Sequence, residues 1–272
     1  MQYGFYQIHR GLFSVSEIAE LRAACVAVFA EFSIENKMSF RRVVDVRHKR
    51  PDAMAHLETV LNWFWTSSLP RLFKALHEHE PALMIEFMTV RRHTAGETFS
   101  HVQWHADANF GSENSPMLVC WVPLDPVGET APSLQFCTPR LVVSDFATHR
   151  AKWSAAAEGN SRGVLSDYDL DDLYGPGGYR VETPILNIGD CCTFDRFTVH
   201  RTQPMAMAST HRHAIEFRVV SRSIPPSTGP TDSHIVLSVR DGEDVTILKA
   251  GVLYNQDRYN QDRRARTSQA KP

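Results

Sequence analysis

Apolar positions in the first third of the chain recur at helical spacing. Ser14 and Glu17 stand three apart ahead of an apolar run, the pattern of a capping box, and Phe13 and Ile18 are placed to staple it. Ile18, Leu21, Cys25, Val28 and Phe32 follow at intervals that put them on one face of a helix. A second helix is expected over Asp52–Ser67, with Met54, Leu57, Leu61 and Phe64 as its buried side and Trp63 and Trp65 in helix packing. Pro70 suits the start of a third helix that runs to about His77. From residue 83 the texture changes. ALMIEFMTVRR, MLVCWVPL, SLQF, CCTF, AIEFRVV, HIVLSV and DVTIL are short blocks rich in β-branched and aromatic residues, mostly separated by Pro, Gly, Asn and Asp. That pattern predicts antiparallel strands. Helices first and strands afterwards, with no obvious linker, predict one domain over residues 1–255. Its helical flank, residues 12–78, would cover one sheet of a mainly β jelly-roll core at 83–250.

Two stretches fall outside that pattern. Residues 145–180 are rich in Gly, Ser and Asp and too long for a hairpin loop, which reads as a lid or insert. Within them, Asp167, Asp169, Asp171 and Asp172 read as a solvated face. The C-terminal YNQDRYNQDR holds one pentapeptide twice, too few copies for a repeat fold, and residues 256–272 are expected to form a polar tail.

Composition narrows the setting. Over 272 residues, 43% hydrophobic and 22% charged content are ordinary for a soluble globular chain, and a net charge of −2 gives no reason to propose nucleic acid or an anionic membrane as a partner. Five cysteines without a CxxC pair disfavour zinc ribbons and thioredoxin-type sites and fit reduced thiols. MQYGFYQIHRGLF lacks the charged start and apolar core of a signal peptide, and no apolar run reaches membrane-spanning length. A cytoplasmic protein with a small-molecule substrate is the expectation; oligomeric state stays open.

The candidate chemistry begins at WHADANF, residues 104–110. In a strand, positions i and i+2 point the same way, so His105 and Asp107 would be either a polar pair facing solvent or two-thirds of a metal site. A partner occurs in NIGDCCTFDRFTVHRT, where Gly189 and Asp190 supply a turn, CCTF a strand, and His200 follows a second turn. Two histidines and a carboxylate on one side of a metal suit ferrous iron that must also bind a co-substrate and oxygen. In THRHAIEFRVV, Arg212, Ala214, Glu216 and Arg218 share one face of the predicted strand, and His213, Ile215 and Phe217 the other. Arg212 could grip a dicarboxylate such as 2-oxoglutarate through a forked pair, with Arg218 as its alternate.

Taken in order, GLFSVSEIAELRAACVAVF, VQWHAD, CWVPLDPVG, IGDCCTFDRFTVHRT and HRHAIEFRVV resemble the phytanoyl-CoA dioxygenase-like family of iron(II)/2-oxoglutarate oxygenases, across roughly residues 4–222. The resemblance implies a double-stranded β-helix, a cupin-like jelly roll with helical support. It also implies His105, Asp107 and His200 as iron ligands, Arg212 as the 2-oxoglutarate-binding arginine and Trp121 as an aromatic of the co-substrate pocket. The implied reaction uses O2 and 2-oxoglutarate, releases succinate and CO2, and hydroxylates a C–H bond. Asp107 argues against a halogenase, since a carboxylate fills the place chloride would need. One departure concerns CTPR, residues 137–140, where many members have a PGSH-like turn. It bears on substrate contacts there and leaves the metal reading alone.

Competing readings remain at several positions. His211 and His213 form a second i, i+2 pair of the kind a cupin isomerase or epimerase would use, and a catalytically silent β-sandwich that binds a ligand is a different class again. Trp121 also reads as plain core. Arg91 and Arg92 read as solvated edge-strand positions rather than contacts to an anionic substrate, and Glu86 and Glu216 as polar positions facing water.

Overall fold

The computed structural model describes residues 6–32, 37–40, 43–44, 51–96, 102–107, 116–138, 167–205, 208–223 and 236–249. The first helix, α1 (Val15–Phe32), starts where the capping box places it: the Glu17 amide donates to Ser14 Oγ at 3.2 Å, and the Ser14 amide donates back to Glu17 Oε2 at 2.7 Å. Its buried side is Ile18, Leu21, Ala24, Cys25, Val28 and Phe29, while Phe32 is half-buried. Helices α2 (Pro51–Thr66) and α3 (Leu69–His77) match their expected spans within a residue or so. Leu57, Leu61 and Phe64 are buried as expected; Met54 is only half-buried, and Trp63 and Trp65 are core. The Trp63 indole N–H reaches the Glu17 carbonyl at 2.9 Å and ties α2 to α1.

The strands are β1 (Tyr6–His9), β2 (Lys37–Ser39), β3 (Pro81–Met84), β4 (Thr89–His93), β5 (Met117–Pro123), β6 (Leu134–Thr138), β7 (Arg180–Glu182), β8 (Cys191–Asp195), β9 (His200–Thr202), β10 (Arg212–Ser221), β11 (Val236–Asp241) and β12 (Asp244–Lys249). Nine of them form the main sheet, in the order β1-β8-β5-β10-β3-β11-β12, with β4 pairing β10 beside β3 and β2 pairing β4. The other sheet runs β7-β6-β9, and residues 102–105 extend it beyond β9. The two sheets face each other across a core containing Trp121, Phe136, Phe194 and Ala214. The helices cover the outer face of the main sheet, burying Cys120, Ile215, Phe217 and Val219. This is the expected double-stranded β-helix with a helical flank.

Three details depart from the sequence reading or complete it. ALMIEFMTVRR is two strands, not one: a 3-10 turn over Ile85–Phe87 interrupts the ladder, yet β3 and β4 both lie antiparallel to β10, with Val219 opposite Leu83 and Ile215 opposite Val90. Arg91 and Arg92 are therefore not on an edge, because β4 is flanked by β2 and β10. Part of the 145–180 insert forms a short helix, α4 (Asp167–Tyr174), whose Leu170 is buried with Trp104, Ala106, Phe197 and Val199, while Asp171 and Asp172 are exposed. The rest of that insert up to residue 166, residues 139–140 of CTPR, and the 256–272 tail lie outside the described residues.

Candidate metal and co-substrate centre

Two turns bring His200 to its place. At the first, Gly189 has φ +94°, and a Cβ there would sit 2.4 Å from the Phe13 carbonyl oxygen, so only glycine fits. Asp190 then accepts from the Gly11 and Asn187 amides, both at 2.9 Å, and pairs with Arg10 at 2.6 Å, fixing the start of β8. At the second, Asp195 Oδ1 accepts from the Phe197 amide at 2.9 Å and the Thr198 hydroxyl at 3.0 Å. That turn carries the chain from one sheet to the other, and His200 opens β9.

There His200 meets His105. Each backbone amide donates to the other's carbonyl at 2.9 Å, and the ring centroids are 4.2 Å apart. The Nδ1 of His105 lies 2.8 Å from the Gln103 carbonyl, and that of His200 lies 2.9 Å from the Thr198 carbonyl. A carbonyl oxygen only accepts, so Nδ1 carries the proton in each neutral ring and Nε2 keeps its lone pair. Burial and the neighbouring His200 hold the His105 imidazolium well below its usual range, which keeps that ring neutral. Phe194, with its ring centroid 4.5 Å from that of His200, forms an apolar wall behind it.

Asp107 is buried two residues past His105, but its carboxylate does not lie against the imidazoles. Both oxygens face Arg218 Nη2, at 3.1 and 3.0 Å. Among the described residues no three His, Cys, Asp or Glu side chains converge as a ready metal cage. Burial alone would raise the Asp107 pKa; Arg218, His200 and His105 outweigh it and keep the carboxylate ionised.

His105 and His200 line one pocket together with Trp121, Arg212, Arg91, Glu216 and Thr202. Arg212 is fully buried. Its Nη1 donates to the Pro132 carbonyl at 2.6 Å, its guanidinium carbon is 5.3 Å from the Trp121 ring centre, and its Nε and Nη2 have no partner. Burial and the charge of Arg91 make that cation costly, pushing its pKa down. A buried cation with the N–H groups of two nitrogens unmatched is one that an anion would satisfy.

Sequence reasoning set aside a pocket position for Arg91 in favour of a solvated edge, and it overlooked the partner of Asp107. The period-two alternation of β10 did place Glu216 and Arg218 on the Arg212 face, and both are buried there rather than facing water. The rival histidine pair is elsewhere: His213 contacts Asp125 at 2.9 Å on the helix side of β10, and exposed His211 accepts from the Ala95 amide at 3.2 Å. Neither lines the pocket.

No family model and no curated protein matches the sequence. Solved structures do match the fold. The non-heme alpha ketoglutarate dependent carbocyclase SnoK from nogalamycin biosynthesis superposes with a TM-score of 0.56 at 14% identity, over 86% of this chain and 81% of that one. EctD from S. alaskensis, solved with 2-oxoglutarate and 5-hydroxyectoine, gives 0.56 at 14% identity over 82% and 74%. The non-heme monooxygenase ThoJ gives 0.52 at 12% identity over 96% and 91%. At such identities the likeness is one of fold, and the fold these neighbours share with this chain is the double-stranded β-helix.

Proposed function

We propose that this protein is an iron(II)- and 2-oxoglutarate-dependent oxygenase of the phytanoyl-CoA dioxygenase-like kind, which hydroxylates a C–H bond of a small-molecule metabolite. The observation that carries the reading is one pocket with two imidazoles at one end, each with Nδ1 committed to a carbonyl, and the under-partnered Arg212 guanidinium also in its wall. The donor types suit ferrous iron: an imidazole nitrogen each from His105 and His200, with Asp107, paired with Arg218 in this structure, as the carboxylate the reading would add to them. Bound iron would supply the activation of dioxygen, coupled to conversion of 2-oxoglutarate to succinate and CO2. The chain supplies the rest. Arg212 holds the far carboxylate of the co-substrate in a charge-assisted pair, with Trp121 against its guanidinium. The Gln103 and Thr198 carbonyls fix the two rings, and Phe194 keeps water from that side.

Anaerobic titration of the protein with iron(II) and 2-oxoglutarate tests this. A weak visible charge-transfer band should develop with both present and be absent in His200→Ala, and succinate should form when air is admitted. A wild-type protein that gives no band contradicts the assignment. Retention of the band in His200→Ala would return the site to the rival readings.

A further inference from the structure

Arg91 lines the same pocket as Arg212, and holding 2-oxoglutarate by its far carboxylate leaves it without a task. The ladders fix the side it occupies. Residues directly opposite one another in a sheet share a face. Arg91 stands opposite Ala214 on β10, and Arg212 and Glu216 lie two residues to either side of Ala214. All three charged side chains therefore belong to the face that looks toward the second sheet, and Ala214 adds only a methyl group between them. On its other flank Arg91 stands opposite Lys37 of β2. Cationic positions thus run inward across the sheet: Lys37 is exposed, Arg91 half-buried and Arg212 fully buried. The charge of Arg91 is felt at Arg212 and helps push the pKa of that group down, so the two guanidiniums oppose each other across the pocket wall.

We propose that Arg91 recognises the substrate to be oxidised, and that this substrate is a small molecule bearing a carboxylate. Under the oxygenase reading, on which this rests, 2-oxoglutarate offers one carboxylate to Arg212 and commits its other end beside His105 and His200. A second guanidinium in the same wall then matches a second anionic molecule. Its planar fork fits a carboxylate through two parallel N–H bonds. Glu216, also in that wall, opposes a more heavily charged group such as a phosphate dianion. Lys37 at the outer end of the row draws anions toward Arg91. Arg212 and Arg91 thereby divide the work: the deeper cation holds the co-substrate, and the shallower one selects what is oxidised.

The test uses the full chain loaded with Zn(II), a diamagnetic metal that supports no turnover, and with 2-oxoglutarate. Calorimetry reads the affinity for 2-oxoglutarate. Saturation-transfer NMR reads the binding of a panel of small aliphatic, hydroxy, amino and aromatic carboxylic acids, each set beside its primary amide. Acids of the panel should bind the wild-type protein and their amides should not. In Arg91→Gln acid binding should weaken by about tenfold or more, while 2-oxoglutarate affinity stays within about threefold of wild type. Arg91→Lys keeps the charge and loses the fork, so it should retain part of the acid binding. Acids and amides that bind alike overturn the proposal, as does a wild-type protein that binds no acid or acid binding that survives Arg91→Gln. A larger fall in 2-oxoglutarate affinity in Arg91→Gln also overturns it, because Arg91 would then be a second clamp on the co-substrate. If Arg91→Gln does not fold, Arg91→Lys decides alone: weakened acid binding with 2-oxoglutarate affinity kept supports the proposal, and any other result overturns it. Wild-type protein that binds neither Zn(II) nor 2-oxoglutarate fails at the first titration, which overturns the oxygenase reading itself and is thereby told apart.

Discussion

The two faces of β10 are buried almost equally and composed in opposite ways. Toward the helices, Ile215, Phe217 and Val219 pack into the larger apolar core, where the Phe217 ring stacks on Trp63 at 5.7 Å and contacts Phe64 at 5.3 Å. Toward the second sheet, the same strand presents Arg212, Glu216 and Arg218, all buried. On the helix face each buried side chain adds transfer free energy. On the inner face burial costs free energy, offset for Arg218 by two carboxylates and left unmatched at two nitrogens of Arg212. A strand that stabilises with one face and keeps costly charges on the other suits the proposed anion site, and exchanging the roles of the faces by mutation measures the division.

The largest effect should come from the helix face. Phe217→Ala should lower unfolding free energy by about 3–5 kcal/mol, read by chemical denaturation, because the cavity opens between α2 and the main sheet, which cannot readily close over it. Folded Phe217→Ala protein should keep its 2-oxoglutarate affinity. Arg212→Ala should do the converse. Loss of a charge-assisted pair to a buried anion costs about 2–5 kcal/mol, so 2-oxoglutarate binding should weaken by roughly thirtyfold to several-thousandfold in calorimetry. Thermal stability should hold or rise, since the substitution removes a buried cation with unmatched donors. A marked fall in Tm with unaltered co-substrate binding would make Arg212 a structural residue and the inner face a second core.

That alternation was legible in the sequence because it is local: a period of two decides which residues share a side, whatever they face. The capping box at Ser14 and Glu17, and the apolar stripes of α1 and α2, were legible for the same reason. What stayed hidden depends on residues far apart in the chain. Nothing within ALMIEFMTVRR signals a break; the Phe87 carbonyl is turned to Arg218, 131 residues away. Arg91 appeared solvated because its inward position depends on the short strand KMS, residues 37–39, pairing with β4 and on β10 closing the other side. His105 and His200 could be nominated from spacing and turn residues, yet their meeting requires the chain to cross between sheets at Asp195. The salt bridge at Asp107 had no local signal at all, since its partner lies 111 residues on.

The smallest and most discriminating effect should come from Asp125, which fastens the helix face of β10 to α1. Its Oδ2 accepts from the His213 amide at 2.7 Å and lies 2.9 Å from the ring Nδ1, and its Oδ1 accepts from Arg22 Nε at 3.0 Å. Burial would raise its pKa, but the His213 ring and amide and then Arg22 outweigh it, so the folded value lies below the ordinary 3.8. A depressed carboxylate pKa contributes stability that is present above the unfolded value and is lost as pH falls through the folded one. Asp125→Asn should therefore cost about 1–3 kcal/mol near neutrality, and its difference from wild type should shrink on acidification below the unfolded value, read by denaturant titration across pH. His213 is adjacent to Arg212, so this variant also probes whether the faces act independently. If they do, 2-oxoglutarate affinity should stay within about twofold. If affinity falls as stability falls, β10 transmits changes on its helix face to the anion site, and the separation of stabilising and binding faces breaks at its first residues.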